Sequence, residues 1–272
     1  MTATAPQGST ADVARRATAV LVTVLLVLAA VAWWGVAEQA AGMRGMADGL
    51  AGVGAAMPME LAVPVFLGMW VTMMAAMMLP TVLPMVLAHR MVVRQRGEGW
   101  APTGIFVAGY LGSWAVAGLL PAALFPLLAD AAMLSERQLA VASGGVLVVA
   151  GLYQFTAWKD ACLRACRSPV EFLLTHDFGA GARGAVRAGM SHGLFCLGCC
   201  WALMSVLVVV GLMNLVWMVA LSLLFLAEKT WRQGDALARP VGIVLIGMGL
   251  AVAARPELLR HLAGVAEHGG GM

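Results

Sequence analysis

Charge is scarce in this chain: Asp, Glu, Lys and Arg make up 11% of its 272 residues, while 61% are hydrophobic. Soluble globular chains carry about 25% charged residues. An ordinary soluble domain is therefore excluded, and the composition is that of a polytopic membrane protein. The formal net charge is +3, but the basic residues sit in turns between apolar runs and form no extended patch. Nucleic acid is thus not an expected partner. A phosphate-binding glycine loop and a hydrolase nucleophile motif are also missing, which argues against ATP-driven pumping by this chain alone and leaves no catalytic residue to name. The first apolar run lacks a clean small-residue cleavage site and ends in Trp33-Trp34, so it is read as a span that stays in place.

What is present is a succession of long apolar segments. The expected fold is all-α, a polytopic membrane helix bundle of about seven transmembrane helices. The segment 1–16 reads as a disordered cytoplasmic N-terminus, 17–256 as a single transmembrane helical domain, and 257–272 as a flexible C-terminal tail. The spans are expected at Ala17–Ala37, Leu61–Ala88, Pro102–Leu128, Gln138–Trp158, Ala188–Val210, Leu215–Ala227 and Ala238–Ala254. Between the fourth and fifth lies a polar segment, Lys159 to Arg187. The sixth span is short and is expected to be tilted or shielded by its neighbours.

The basic residues set the orientation. With the N-terminus inside, Arg15, Arg16, Arg90, Arg94, Arg96, Lys159, Arg164, Arg167, Arg183, Arg187, Lys229, Arg232 and Arg239 face the cytoplasm. Those are thirteen of the 17 Lys and Arg residues; Arg44, Arg137, Arg255 and Arg260 lie outside. This is the bias of the positive-inside rule. It places the chain in a bacterial cytoplasmic (inner) membrane with the C-terminus on the outer side, and makes the lipid bilayer its first partner.

Three of the five cysteines fall in one stretch, Gly189 to Met204, which otherwise reads as a membrane helix. At 3.6 residues per turn His192, Cys196 and Cys199 fall within an arc of roughly 60°, with Cys200 beside it. The rise from His192 to Cys199 is about 10 Å, too long for one ion to take every ligand. A complete site needs help from elsewhere in the chain, or a helix broken at Gly193 or Gly198. Neighbouring Cys199 and Cys200 are an awkward disulfide pair, since their Cβ atoms diverge; Cys196 with Cys199 is the better redox couple.

Two more soft-ligand groups accompany this stretch. In the second span Met69, Met73 and Met77 repeat at helical spacing, and a thioether ladder suits monovalent copper, although methionine also fills irregular cores. Pro80 and Pro84 each remove a backbone donor and are expected to kink the same span. At the end of the fourth span Cys162 and Cys166 share a face if the helix continues. Both lie at the cytoplasmic boundary, where thiols stay reduced, and Lys159, Arg164 and Arg167 flank them in a way that favours thiolates. The fifth span starts from the same side, so these cysteines can meet His192 and Cys196 in space. Glu228-Lys229 reads as an interfacial charge pair anchoring the sixth span, Asn214 as a helix cap, and Trp217 as an aromatic anchor.

Three blocks together resemble a bacterial family known as domain of unknown function 2182, described as predicted metal-binding integral membrane proteins. They are the Met-Trp and Met-Met-Leu-Pro run of Met69 to Pro84, the Lys-x-x-Cys-x-x-x-Cys-Arg-x-Pro segment of Lys159 to Pro169, and His192-Gly193 through Glu228-Lys229. The resemblance implies a membrane protein that binds metal through its cysteines and histidine. A fainter likeness, to membrane thiol-disulfide and metal-maturation proteins, is weakened because no proline stands next to a cysteine pair.

The expected metal set is therefore His192, Cys196, Cys199, Cys200, Cys162, Cys166, Met69, Met73 and Met77. Soft thiolate and thioether ligands favour Cu(I), while zinc would use the cysteines and histidine without the methionines. The leading expectation is a Cu(I)-handling transporter or membrane metallochaperone and not an enzyme, working with a metal ion and with other membrane subunits or a metallochaperone. Two alternatives stay open. One is a thiol-disulfide oxidoreductase exchanging Cys196/Cys199 with Cys162/Cys166; the other is a non-catalytic subunit of a membrane assembly.

Overall fold

The computed structural model describes residues 8–43, 59–130, 135–175 and 178–263. These described residues are helical and contain no strand. The helices are α1 (Gly8–Met43), α2 (Met59–Gln95), α3 (Ala101–Asp130), α4 (Glu136–Tyr153), α5 (Ala157–Arg167), α6 (Pro169–Thr175), α7 (Gly181–Val210), α8 (Leu215–Thr230), α9 (Ala238–Ala254) and α10 (Glu257–Ala263). Residues 1–7 and 264–272, which hold part of the expected N-terminal and C-terminal tails, lie outside the described residues.

Five helical stretches are long and apolar enough to cross a membrane: Arg15–Ala41, Val63–Gln95, Ala101–Leu124, Gly181–Val210 and Gly234–Ala254. A sixth is added if α4 and α5, bent by 64° at their junction, count as one broken span. The remaining expected span, the sixth at Leu215–Ala227, lies in α8, whose 16 residues reach only about 24 Å at 1.5 Å per residue, short of a hydrocarbon core of about 30 Å.

Local chemistry explains where the helices start and stop. Ser135 opens α4 with a capping box: its side chain accepts from the Gln138 backbone N–H, and Gln138 Oε1 accepts from the Ser135 N–H at 3.0 Å. Thr156 caps α5 in the same way through the Lys159 N–H at 3.2 Å, each such cap contributing about 1 kcal/mol. The polar segment after the fourth span begins as helix, with Thr156 restarting the chain as α5 and α6 following it. Gly211, at φ 101°, ends α7 in a conformation open to glycine. Asn214 then caps α8 through the Trp217 N–H, and the Trp217 indole donates to the Leu262 carbonyl at 2.9 Å.

The core runs along α2 and α7. Met73, Met74, Ala76, Met77, Met78, Leu79, Val82, Met85 and Val86 of α2 are buried, as are Cys196, Cys199, Cys200, Leu203, Val206 and Leu207 of α7. Helix α7 lies against α3, α4, α5 and α8, and α2 against α1, α3 and α8. Helices α4 and α9 meet through glycine: a Cβ on Gly144 would stand 2.5 Å from the Gly249 carbonyl, and one on Gly151 2.7 Å from that of Gly242. Outward-facing Val116, Leu120, Val216, Ile243 and Val244 are exposed. Pro80 and Pro84 do not end α2, which runs through both.

Candidate metal centre

Helix α7 stays unbroken through Gly193 and Gly198, so completion of the site falls to another helix. That helix is α5. The 64° bend after Tyr153 turns α5 so that its buried face, Lys159, Cys162, Leu163 and Cys166, lies on the neighbouring helices. The Sγ atoms of Cys166, Cys196 and Cys199 all lie within 4.8 Å of one another and are buried. Cys166 and Cys199 approach to 3.8 Å. Three sulfurs bound to one ion at about 2.3 Å stand about 4 Å apart, so the separations fit a single soft ion.

The glycines of α7 make this approach possible. A Cβ on Gly198 would stand 2.5 Å from Cys162 Sγ, so α5 can settle on α7 only where that side chain is missing. The Gly198 carbonyl accepts from the Tyr153 hydroxyl at 2.6 Å, fixing the bend to the cysteine run. Farther along, a Cβ on Gly193 would overlap the Ser113 hydroxyl, and there α3 closes on the other flank.

Around Cys196 the polar contacts converge. Its Sγ lies 3.0 Å from the Tyr110 hydroxyl and 3.1 Å from Lys229 Nζ. Lys229 also donates to Thr81 Oγ1 at 3.2 Å and approaches Met78 Sδ at 3.7 Å. Among the described residues no carboxylate lies within salt-bridge distance of Lys229, and the neighbouring Glu228 pairs with Lys159. A buried ammonium therefore faces thiols, the groups that become anionic when they take a metal ion.

The sequence placed this charge differently. Lys159 Nζ contacts Glu228 Oε1 at 2.7 Å and also donates to the Gln154 side-chain oxygen. Arg164 is exposed, and the Arg167 guanidinium donates to the Glu228 and Arg232 carbonyls. Glu228 and Lys229 are not an interfacial pair: both are buried, and each binds a different helix. Removing one partner from a buried pair such as Lys159–Glu228 costs about 3–5 kcal/mol.

The remaining expected ligands have distinct places. Cys200 Sγ is 3.4 Å from Cys199 Sγ, so the neighbouring thiols do come close. Cys162 is buried over Gly198 and lies outside the three-sulfur group. His192 is also outside it, packed among Phe172 at 5.5 Å, Tyr110 at 5.9 Å and Phe106 at 6.4 Å between ring centres. Its Nδ1 is buried with no hydrogen-bond partner, as is that of His89, which stacks on Phe106 at 4.5 Å. Met73 and Met77 are buried in the core and Met69 is half-buried. The methionine that reaches Lys229 is Met78, one residue off the expected stripe.

Tyr110, Thr81, Met78 and Lys229 were not named as site residues from the sequence. One signal was available: the chain has two tyrosines, and both hydroxyls bond to the cysteine run of α7. Lys229 carried the opposite signal, because a lysine at a span's end ordinarily reads as an interfacial anchor.

Comparison with curated proteins and with solved structures gives no match. A family comparison does: residues 67–252, a range containing all three blocks noted in the sequence, match the PpoB2 copper chaperone family, and the chain belongs to that family.

Proposed function

We propose that the chain is a membrane metallochaperone that holds Cu(I) on Cys166, Cys196 and Cys199. The observation that carries this reading is three buried sulfurs from two helices within 4.8 Å of one another, beside an ammonium that has no carboxylate partner among the described residues. Soft thiolates select Cu(I) or zinc over harder cations, and zinc completes a tetrahedron with a fourth ligand. Three close sulfurs favour copper, as does membership of a copper chaperone family. Three thiolates and one Cu(I) carry a charge of −2, and the Lys229 ammonium reduces it to −1, which lowers the cost of burying the loaded site.

The other expected ligands flank the three. Cys200, 3.4 Å from Cys199, offers a second sulfur for moving the ion along α7. Cys162 stands on the side of the α4–α5 bend. The unpartnered imidazole nitrogen of His192 serves as an auxiliary ligand, and Met69, Met73 and Met77 form a delivery stripe on α2. Exposed apolar side chains on the outer helices and the biased distribution of Lys and Arg support a bacterial inner-membrane protein with its N-terminus in the cytoplasm. The ion would pass to another membrane subunit or a soluble metallochaperone.

Elemental analysis of the purified, detergent-solubilised protein tests the reading. The intact protein is expected to carry near-stoichiometric copper, Cys166→Ser, Cys196→Ser and Cys199→Ser to lose it, and His192→Ala to keep it with affinity lowered about tenfold. Full copper retention in all three serine variants would sink the proposal.

The reduced thiols Cys166 and Cys199, 3.8 Å apart, favour one alternative, thiol-disulfide exchange. Its couple would join α5 to α7 and not lie within α7. Equal alkylation of all the thiols under oxidising and reducing conditions would remove it.

A further inference from the structure

Two adjacent residues at the end of α8 hold the two helices that carry the thiols. Side chains one residue apart on a helix diverge by about 100°, so Glu228 and Lys229 reach different neighbours. Glu228 turns to α5, where its Oε1 meets Lys159 Nζ at 2.7 Å. Its backbone carbonyl accepts from Arg167, the residue directly after Cys166. Lys159 and Cys166 are seven residues apart, two turns along one face, so a hold on Lys159 fixes the rotation of Cys166. Lys229 turns to α7 and α2, meeting Cys196 Sγ at 3.1 Å and Thr81 Oγ1 at 3.2 Å.

The chain beyond α8 closes on the same joint. A Cβ on Gly234 would stand 2.5 Å from the Arg167 guanidinium and 2.5 Å from the Ala227 carbonyl. Apolar helices need no such device to pack, and the Lys159–Glu228 pair, 0% and 1% exposed, is desolvated at a cost. A buried charge pair of this kind fixes register, because any slip leaves both charges unpartnered. It also keeps the Glu228 carboxylate on Lys159 and off the thiols, while the Lys229 ammonium adjoins Cys196.

We infer that Glu228 and Lys229 are positioning residues that set Cys166 on α5 against Cys196 and Cys199 on α7, joining two helices through a third. The purpose of that spacing rests on the copper reading, but the spacing itself can be measured without metal.

The test uses the metal-free, full-length protein in detergent. In a background of Cys162→Ser, Cys196→Ser and Cys200→Ser, dipyridyl disulfide oxidises Cys166 and Cys199 to one disulfide, and the reagent is reduced to two pyridinethiones. The parent is expected to cross-link completely, Glu228→Gln and Lys159→Met about tenfold more slowly, and the exchanged pair Lys159→Glu with Glu228→Lys within about threefold of the parent. In the matching background that retains Cys166 and Cys196, Lys229→Met slows cross-linking by about tenfold. Folded single variants that cross-link at the parental rate overturn the inference. Should those variants not fold, the exchanged pair decides: restored cross-linking supports it, and a folded exchange that stays tenfold slower overturns it. A full-thiol protein that takes no Cu(I) from a chromophoric chelator, while these rates change as expected, refutes the copper reading and upholds the positioning role.

Discussion

Lys229 Nζ lies 3.1 Å from the Sγ of Cys196, joining the end of α8 to the middle of α7. The Tyr110 hydroxyl lies 3.0 Å from the same sulfur. One thiol is therefore held by a cation from α8 and by a hydroxyl from α3, and its chemistry depends on how three helices are packed.

Tyr110→Phe removes the hydroxyl and keeps the ring that faces His192. A net hydrogen bond contributes about 0.5–1.5 kcal/mol, so Cu(I) affinity should fall about three- to tenfold. Competition against a chromophoric Cu(I) chelator measures it. An unchanged affinity would place Tyr110 in packing alone.

Gly193→Ala puts a methyl group onto the Ser113 hydroxyl, 2.8 Å from Ser113 Cβ and 3.2 Å from the Tyr110 carbonyl. Pushing α3 off α7 should cost about 1–3 kcal/mol and weaken copper binding with it. Adding Ser113→Gly removes the obstructing side chain, so the double variant should recover at least half of the lost thermal stability. Losses that simply add would mean that the two positions do not press on one another.

The methionine stripe of α2 is expected to deliver the ion and not to hold it. Met73→Leu with Met77→Leu preserves apolar volume, so equilibrium Cu(I) affinity should stay within about threefold while loading slows about tenfold. Zinc binding should be unaffected. Stopped-flow loading at the parental rate would take these methionines out of the account, and loss of both metals would assign them to structure.

Much of the architecture was readable along the chain because bilayer thickness imposes a length on apolar helices. Span positions, the Asn214 cap and the cysteine-rich face of α7 all follow from local pattern. The count of seven went beyond what the described residues show, because α8 is short and the fourth segment bends 64° between Tyr153 and Ala157. That bend is what carries Cys166 to Cys199. Nothing in the local sequence gives its direction, which comes from α5 settling onto the bare surface of Gly198.

The charges show the same limit. Lys159, Glu228 and Lys229 are neighbours or flank cysteines in sequence, and local reasoning paired Glu228 with Lys229 and set Lys159 beside thiols. In three dimensions Glu228 belongs to Lys159, and Lys229 to Cys196.

By itself the sequence determined that this is a bundle of apolar helices with sulfur side chains concentrated on one face, since helical periodicity and hydrophobicity act over a few residues at a time. Only the tertiary structure decided which sulfurs meet and which cation stands beside them. Those choices depend on where glycines let helices touch and where buried charges find partners, and both are relations between residues far apart in the chain.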